Sequence, residues 1–369
     1  LRAAQTYAAR IDLAEAELRI RLGDEGEGKE AAPARILEEA VAAADMPAAS
    51  RARIALGLIE ARAGRDQAAI DHLEAALSGE PLLASARPDV YATLGRAYSN
   101  VGEAWKAVEL FESCLAEVSE PKPADVAAQV RYATYLSYAL TDAGDFERAE
   151  RLLNELADRP LETVDPYTRV RLYWSLGRLE TREGRAITGL SHFRRAVAVL
   201  EATEDTLHTA RAHVSCAWAL TKSGRADAAG RHIELAEQLF GPQIDRTDLA
   251  WLRTEQAKRA LQLESADDAV AYAREALEAL GESDPGERGD AWSVLAEAYA
   301  IQNEVDEADA AFGRAVELMN GHRPSRDLVA VYRAWAGLLR KMGREAEALD
   351  NLERAADLLA ENREARVSR

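Results

Sequence analysis

Only 2 cysteines occur in 369 residues, alongside 11 prolines, 5 phenylalanines and 3 methionines. Cys114 and Cys216 have no CxxC or metal-ligand spacing around them, which excludes a disulfide framework or a cysteine-bound metal as the organiser of the fold. Both lie on apolar helix faces and read as small buried hydrophobes in a reducing compartment. No apolar run approaches the ~20 residues that span a bilayer, and no signal-peptide pattern opens the chain. A cytoplasmic protein with no membrane partner is therefore expected.

Catalytic signatures are equally scarce. The six histidines, His72, His192, His208, His213, His232 and His322, are scattered, and no pair has the i, i+4 spacing of a helical metal site. His208 and His213 are expected on different faces. There is no GxxxxGK[ST], no GxGxxG after a strand, and no strand pattern at all. No catalytic residue, metal or cofactor is expected, and no enzyme. With 64 acidic against 46 basic residues the net charge is −18, so the chain repels polyanions at long range.

What the chain has is a repeat. In the stretch Pro88–Leu115, Tyr91, Leu94, Gly95 and Tyr98 mark one face of a helix. Gly102 supplies a turn, Glu103 opens a second helix, and Ala107, Phe111 and Cys114 form its apolar face. Aromatic, Leu-Gly, aromatic, Gly, Ala, aromatic in this order resembles the tetratricopeptide repeat (TPR), a helix-turn-helix unit. Matching turns fall at Gly64, Gly144, Gly184, Gly224, Glu264, Asn303 and Gly343, with spacings of 38, 42, 40, 40, 40, 39 and 40 residues. In the same register the first helices carry Gly57, Gly95, Ser137, Gly177, Ala217, Ala257, Ala296 and Ala336. The second carry Ala69, Ala107, Ala149, Gly189, Ala229, Ala269, Ala308 and Ala348.

The expected fold class is all-α, a right-handed α-solenoid of TPR-like helix-turn-helix repeats with a period of about 40 residues and one continuous core. Residues 1–46 form an N-terminal helix and an incomplete first repeat, 47–360 eight repeats, and 361–369 a frayed polar tail. The Leu1–Leu22 helix has no N-cap, and is expected either to cap the solenoid or to lead from an upstream domain. Each repeat has about six residues more than the usual 34. These are expected to lengthen the second helices and form Pro-bearing loops at Arg159–Tyr167, Phe240–Arg246, Gly281–Asp290 and Gly321–Asp327. Glu264 should not tolerate the left-handed conformation, so the sixth repeat should turn differently.

The resemblance implies a ligand groove along the first helices, at five register positions of each. Those positions are Arg131, Thr134, Tyr138, Thr141 and Asp142 in the third repeat, and Arg171, Trp174, Arg178, Thr181 and Arg182 in the fourth. The fifth offers Arg211, Val214, Trp218, Thr221 and Lys222, and the sixth Trp251, Thr254, Lys258, Leu261 and Gln262. Seven of these twenty are basic and one is acidic, which places positive charge on the inner face of an acidic chain. Arg forks and Trp faces suit a protein segment or extended peptide bearing carboxylates, or a small anionic ligand. The Lys and Asn clamp for a C-terminal carboxylate found in chaperone-binding TPR proteins is not reproduced.

The 40-residue variant, the opening AAQTYAARIDLAEAELRIRLG and DPYTRVRLYWSLGRLETREGR also resemble the C-terminal TPR region of bacterial XRE-family helix-turn-helix transcription regulators. That likeness implies a ligand-sensing module, compatible with a homodimer, that reaches DNA only through an N-terminal domain absent from this chain. A stand-alone scaffold or adaptor for a partner protein is the alternative.

Overall fold

The computed structural model describes residues 46–79, 82–119, 126–158, 165–282, 284–320 and 325–367. Expectations for the Leu1–Leu22 helix, the incomplete first repeat and His322 lie outside these residues. Among the described residues there are sixteen α-helices and no strand. They pair as α1 (Met46–Arg62) with α2 (Asp66–Gly79), α3 (Pro88–Asn100) with α4 (Ala104–Ser119), and α5 (Val126–Asp142) with α6 (Phe146–Ala157). The series continues through α7 (Pro166–Arg182), α8 (Ala186–Leu200), α9 (Thr206–Lys222), α10 (Ala226–Phe240), α11 (Arg246–Gln262) and α12 (Ala266–Leu280). It ends with α13 (Pro285–Gln302), α14 (Val305–Met319), α15 (Ser325–Lys341) and α16 (Glu345–Val367). Each pair is one repeat, numbered 1 to 8, and the architecture is an all-α TPR solenoid.

The turn inside every repeat is the same. Gly64, Gly102, Gly144, Gly184, Gly224 and Gly343 all have positive φ, and so do Glu264 (59°) and Asn303 (63°). The sixth repeat therefore turns like the others, and Glu264 bears the crowding of its Cβ in the left-handed region. The reason is the closing hydrogen bond. In each repeat the N–H one residue beyond the turn donates to a carbonyl five residues back, from Arg65 to Glu60 through Arg344 to Leu339, at 2.8–2.9 Å. This pattern satisfies carbonyls that the helix end leaves open.

The small positions are the close-contact points. All of the second-helix series is buried, and so are Gly57 to Ala336 in the first helices. A Cβ at Gly95 would lie 2.1 Å from Phe111 Cζ, and one at Gly177 2.5 Å from Phe193 Cε1. A missing side chain on one helix thus accommodates a ring on the next, and each buried ring contributes roughly 1.5–3 kcal/mol. Cys114 and Cys216 are buried free thiols within this packing, both pushed up to about 12 by burial.

The extra residues of the 40-residue period lie elsewhere than expected. Seven first helices have 17 or 18 residues, while second helices of repeats 4 to 7 have 15. The added length is an N-terminal turn on the first helix. Asp165, Asp205, Asp245 and Asp284 each accept the N–H three residues on, at 2.9–3.0 Å. An Asp cap of this kind contributes about 1 kcal/mol. Residues 285–290, expected as loop, accordingly belong to α13, and Gly241–Gln243 form a short 3-10 turn. Helix α16 runs on to Val367, so residues 361–367 are helical where fraying was expected.

One continuous core was also expected, but the chain forms two compact units, Leu1–Lys122 and Pro123–Arg369. The first unit contains repeats 1 and 2. The second contains repeats 3 to 8, and all the predicted groove residues.

Candidate functional site

The first helices of repeats 3 to 6 set the predicted residues out in two layers. Thr134, Thr141, Thr181, Val214, Thr221 and Thr254 are buried and belong to the helix contacts rather than to an open groove. The hydroxyls of Thr141, Thr181, Thr221 and Thr254 donate to carbonyls four residues back on their own helices. Gln262 donates to the Thr221 carbonyl at 2.7 Å, and half-buried Leu261 packs on the core.

The basic residues divide likewise. Arg178 pairs with Asp142 at 2.6 Å and lies 4.7 Å from the Tyr138 ring centroid. Burial raises the pKa of the Tyr138 hydroxyl. Arg211 grips the buried Asp248 carboxylate from Nε and Nη2, at 2.8 and 2.7 Å, and reaches Asp245 at 3.3 Å. Burial raises the Asp248 pKa against the opposing pull of Arg211. Arg182, 11% exposed, reaches 145 residues along the chain to Asp327 at the start of α15, at 3.1 Å. Three of the seven predicted cations, Arg178, Arg182 and Arg211, are thus neutralised by carboxylates from other helices, which the register of single helices could not reveal.

Arg131, Arg171 and Lys222 form no ion pair among the described residues. Arg131 is half-buried and Lys222 exposed, while Arg171 sits 5.3 Å from the Tyr135 ring centroid. Trp174, Trp218 and Trp251 pack, partly buried, against a single apolar cluster of repeats 4 to 6. Trp218 meets Phe193 with ring centroids 6.2 Å apart. These tryptophans serve the core with one side and leave the other accessible.

Between repeats 5 and 7 the first helices bring acidic side chains close to the predicted lysines. Lys258 donates to Glu255 at 2.8 Å. Burial raises the Glu255 pKa, Lys258 and Lys222 opposing it. Burial likewise works against the Lys258 ammonium, but Glu255, Asp290 and Glu287 raise its pKa above the usual lysine value. Glu297 on α13 has an exposed side chain, but the protein crowding around its carboxylate raises its pKa, with Lys222 and Lys258 opposing. None of these carboxylates was singled out in the sequence. The signal available was the register itself: Asp290 and Glu297 stand in repeat 7 where Trp251 and Lys258 stand in repeat 6.

The fold also makes a histidine pair that spacing concealed. His213 on α9 and His232 on α10 are 19 residues apart, with their Nδ1 atoms 2.9 Å from each other. One ring must donate and the other accept, so the contact requires at least one neutral ring. Burial lowers both pKa values, that of His232 to about 4, with His213, Arg194 and Arg231 adding to the effect. Among the described residues no group of three or more His, Cys, Asp or Glu could hold a metal, and no helix is long and apolar enough to cross a membrane.

No protein-family model matches the sequence, and no curated protein matches it. Solved structures resemble the fold. The APC/C hetero-tetramer of Cut9 and Hcn1 superposes with TM-score 0.59 at 14% identity, over 94% of this chain and 60% of that one. The chain therefore spans under two thirds of that relative's length. The apo quorum sensor NprR from B. thuringiensis matches with TM-score 0.59 at 14% identity, over 84% of this chain and 87% of that one. The Rap conjugation gene regulator of plasmid pLS20, in complex with the Phr* peptide, gives TM-score 0.51 at 13% identity, over 87% and 76%. At these identities the likeness establishes the TPR fold.

Proposed function

We propose that this chain is a non-enzymatic TPR module that holds an extended peptide along the inner face of repeats 3 to 7, as the sensing part of a DNA-binding transcription regulator. The observation that carries the reading is that Arg131, Arg171 and Lys222, which have no ion-pair partner among the described residues, occupy the groove register positions of the first helices along with the partly buried Trp174, Trp218 and Trp251. Guanidinium groups take carboxylates bidentately and indole faces take apolar or cationic groups, which together suit a peptide better than a compact metabolite. Two of the structural neighbours are named as a quorum sensor and as a gene regulator in complex with a peptide, and the resemblance to XRE-family regulators points the same way. A ligand bridging several repeats would favour one arrangement of the helix pairs and pass that preference to an attached domain.

Selection from a random heptapeptide pool tests the peptide part. The wild-type chain should retain a subset of sequences, and Arg171→Ala with Trp218→Ala should release it while helicity stays unchanged. Equal retention by the double variant would remove the groove reading. The regulator part is tested by sequencing the parent reading frame upstream of the Leu1 codon. An in-frame helix-turn-helix segment would support it, and a start codon there would leave a scaffold whose partner is to be sought by pull-down.

A further inference from the structure

We infer that the inner face between repeats 5 and 7 is a cation-accepting subsite, in which Glu255 and Glu297, flanked by Glu287 and Asp290, take the ammonium or guanidinium of a basic side chain in the bound peptide. The inference rests on the peptide reading above and adds the chemistry and place of one contact.

Glu255 is the starting point. Its side chain is 1% exposed, its Oε1 accepts from Lys258, and its Oε2 is buried with no hydrogen-bond partner. A buried carboxylate with one empty oxygen is costly to fold around, because the desolvation of a charge is repaid only when its acceptor sites are filled. The neighbouring repeats show that nothing in the solenoid demands an acid there. At the same register position repeats 4 and 5 carry Ser175 and Ser215, each satisfied by a carbonyl of its own helix at 3.0 Å.

The surroundings supply the remaining field. Glu287 and Asp290 lie close enough to act on Lys258, and Glu287 on Glu255, while Lys222 and Lys258 both act on Glu297. Lys258 occupies only one oxygen of Glu255, and the second is the acceptor that a ligand's cation would fill. A cation entering the groove would meet that second oxygen and the exposed Glu297 carboxylate together, through charge-assisted hydrogen bonds. Arg131 and Arg171 stand three and two repeats before Glu255, so carboxylate and cation of one extended ligand would be read at opposite ends. The subsite thereby gives the bound chain a direction.

The heptapeptide pool is the probe. The wild-type chain should retain peptides enriched in Lys or Arg at one position. Glu255→Gln with Glu297→Gln should retain peptides without that enrichment, and bind the selected basic peptide at least about tenfold more weakly, the loss of one charge-assisted hydrogen bond. Glu297→Gln alone, at an exposed position, gives the same readout if the Glu255 change impairs folding. Retention without a basic preference, or an unchanged preference in the variants, overturns the subsite and leaves the groove reading standing. If the wild-type chain retains no peptide, both readings fall.

Discussion

Repeats 5 and 6 stand 40 residues apart and share one backbone, yet they solve the same positions with different chemistry. Where repeat 5 sets His213 against His232, with ring centroids 5.2 Å apart, repeat 6 sets Arg253 5.7 Å from the Tyr272 ring centroid. Gly224 turns the first and Glu264 the second. Ser215 becomes Glu255, and Trp218 becomes Lys258. What survives the exchange is small size at Ala217, Ala257, Ala229 and Ala269, all 0% exposed. In this solenoid size at the helix contact is what the fold requires, and charge is free to vary for other ends.

The strongest test of that contrast is at the seam between the two repeats. Arg211→Ala would leave Asp248, 6% exposed, without its bidentate partner, at a cost of about 3 kcal/mol for a broken buried pair. Urea denaturation should show it, and a loss near the ~0.5 kcal/mol typical of surface changes would mean that Asp248 is solvated. Ala229→Leu should cost ~1–3 kcal/mol by overpacking. Ala269→Leu should cost as much, because the contact is the same. A large difference between the two would show that the repeats do not share their packing.

The paired rings should separate the repeats by pH. His232 titrates near 6.5 when unfolded and at about 4 when folded, so the unfolded chain binds more protons between those values. Stability is then complete above pH 6.5 and falls as pH drops toward 4. His213, also lowered, faces Glu201 and Arg231, and works in the same direction. Thermal melts from pH 7 to 4.5 should show a downward slope that His232→Gln flattens, and that Tyr272→Phe in repeat 6 leaves in place. An unchanged slope in His232→Gln would assign the acid sensitivity to carboxylates instead.

The smallest effects belong to the turns. Glu264→Gly should stabilise by about 0.5–1 kcal/mol, since glycine takes positive φ without a Cβ clash. Gly224→Ala should destabilise by a similar amount, although nothing lies within 4 Å of the added Cβ. Opposite signs in chemical melts would confirm that backbone strain alone separates these turns, and equal signs would place the difference in side-chain contacts.

The sequence by itself determined the all-α class, eight helix pairs, the place of every turn, though not the conformation at Glu264, and the small residues at the contacts. These are local or periodic properties, set by φ preference and side-chain volume, and a 40-residue period displays them eight times. It also displayed the Asp series at 165, 205, 245 and 284, which reads as loop until the capping bonds show where each first helix begins. Only the tertiary structure decided which charges remain available. Asp248 holds Arg211, Asp327 holds Arg182 from 145 residues away, and Glu255 stands beside Lys258 with one oxygen empty. Coulombic partners and burial depend on distance in space between separate helices, and no position along a single helix carries that information.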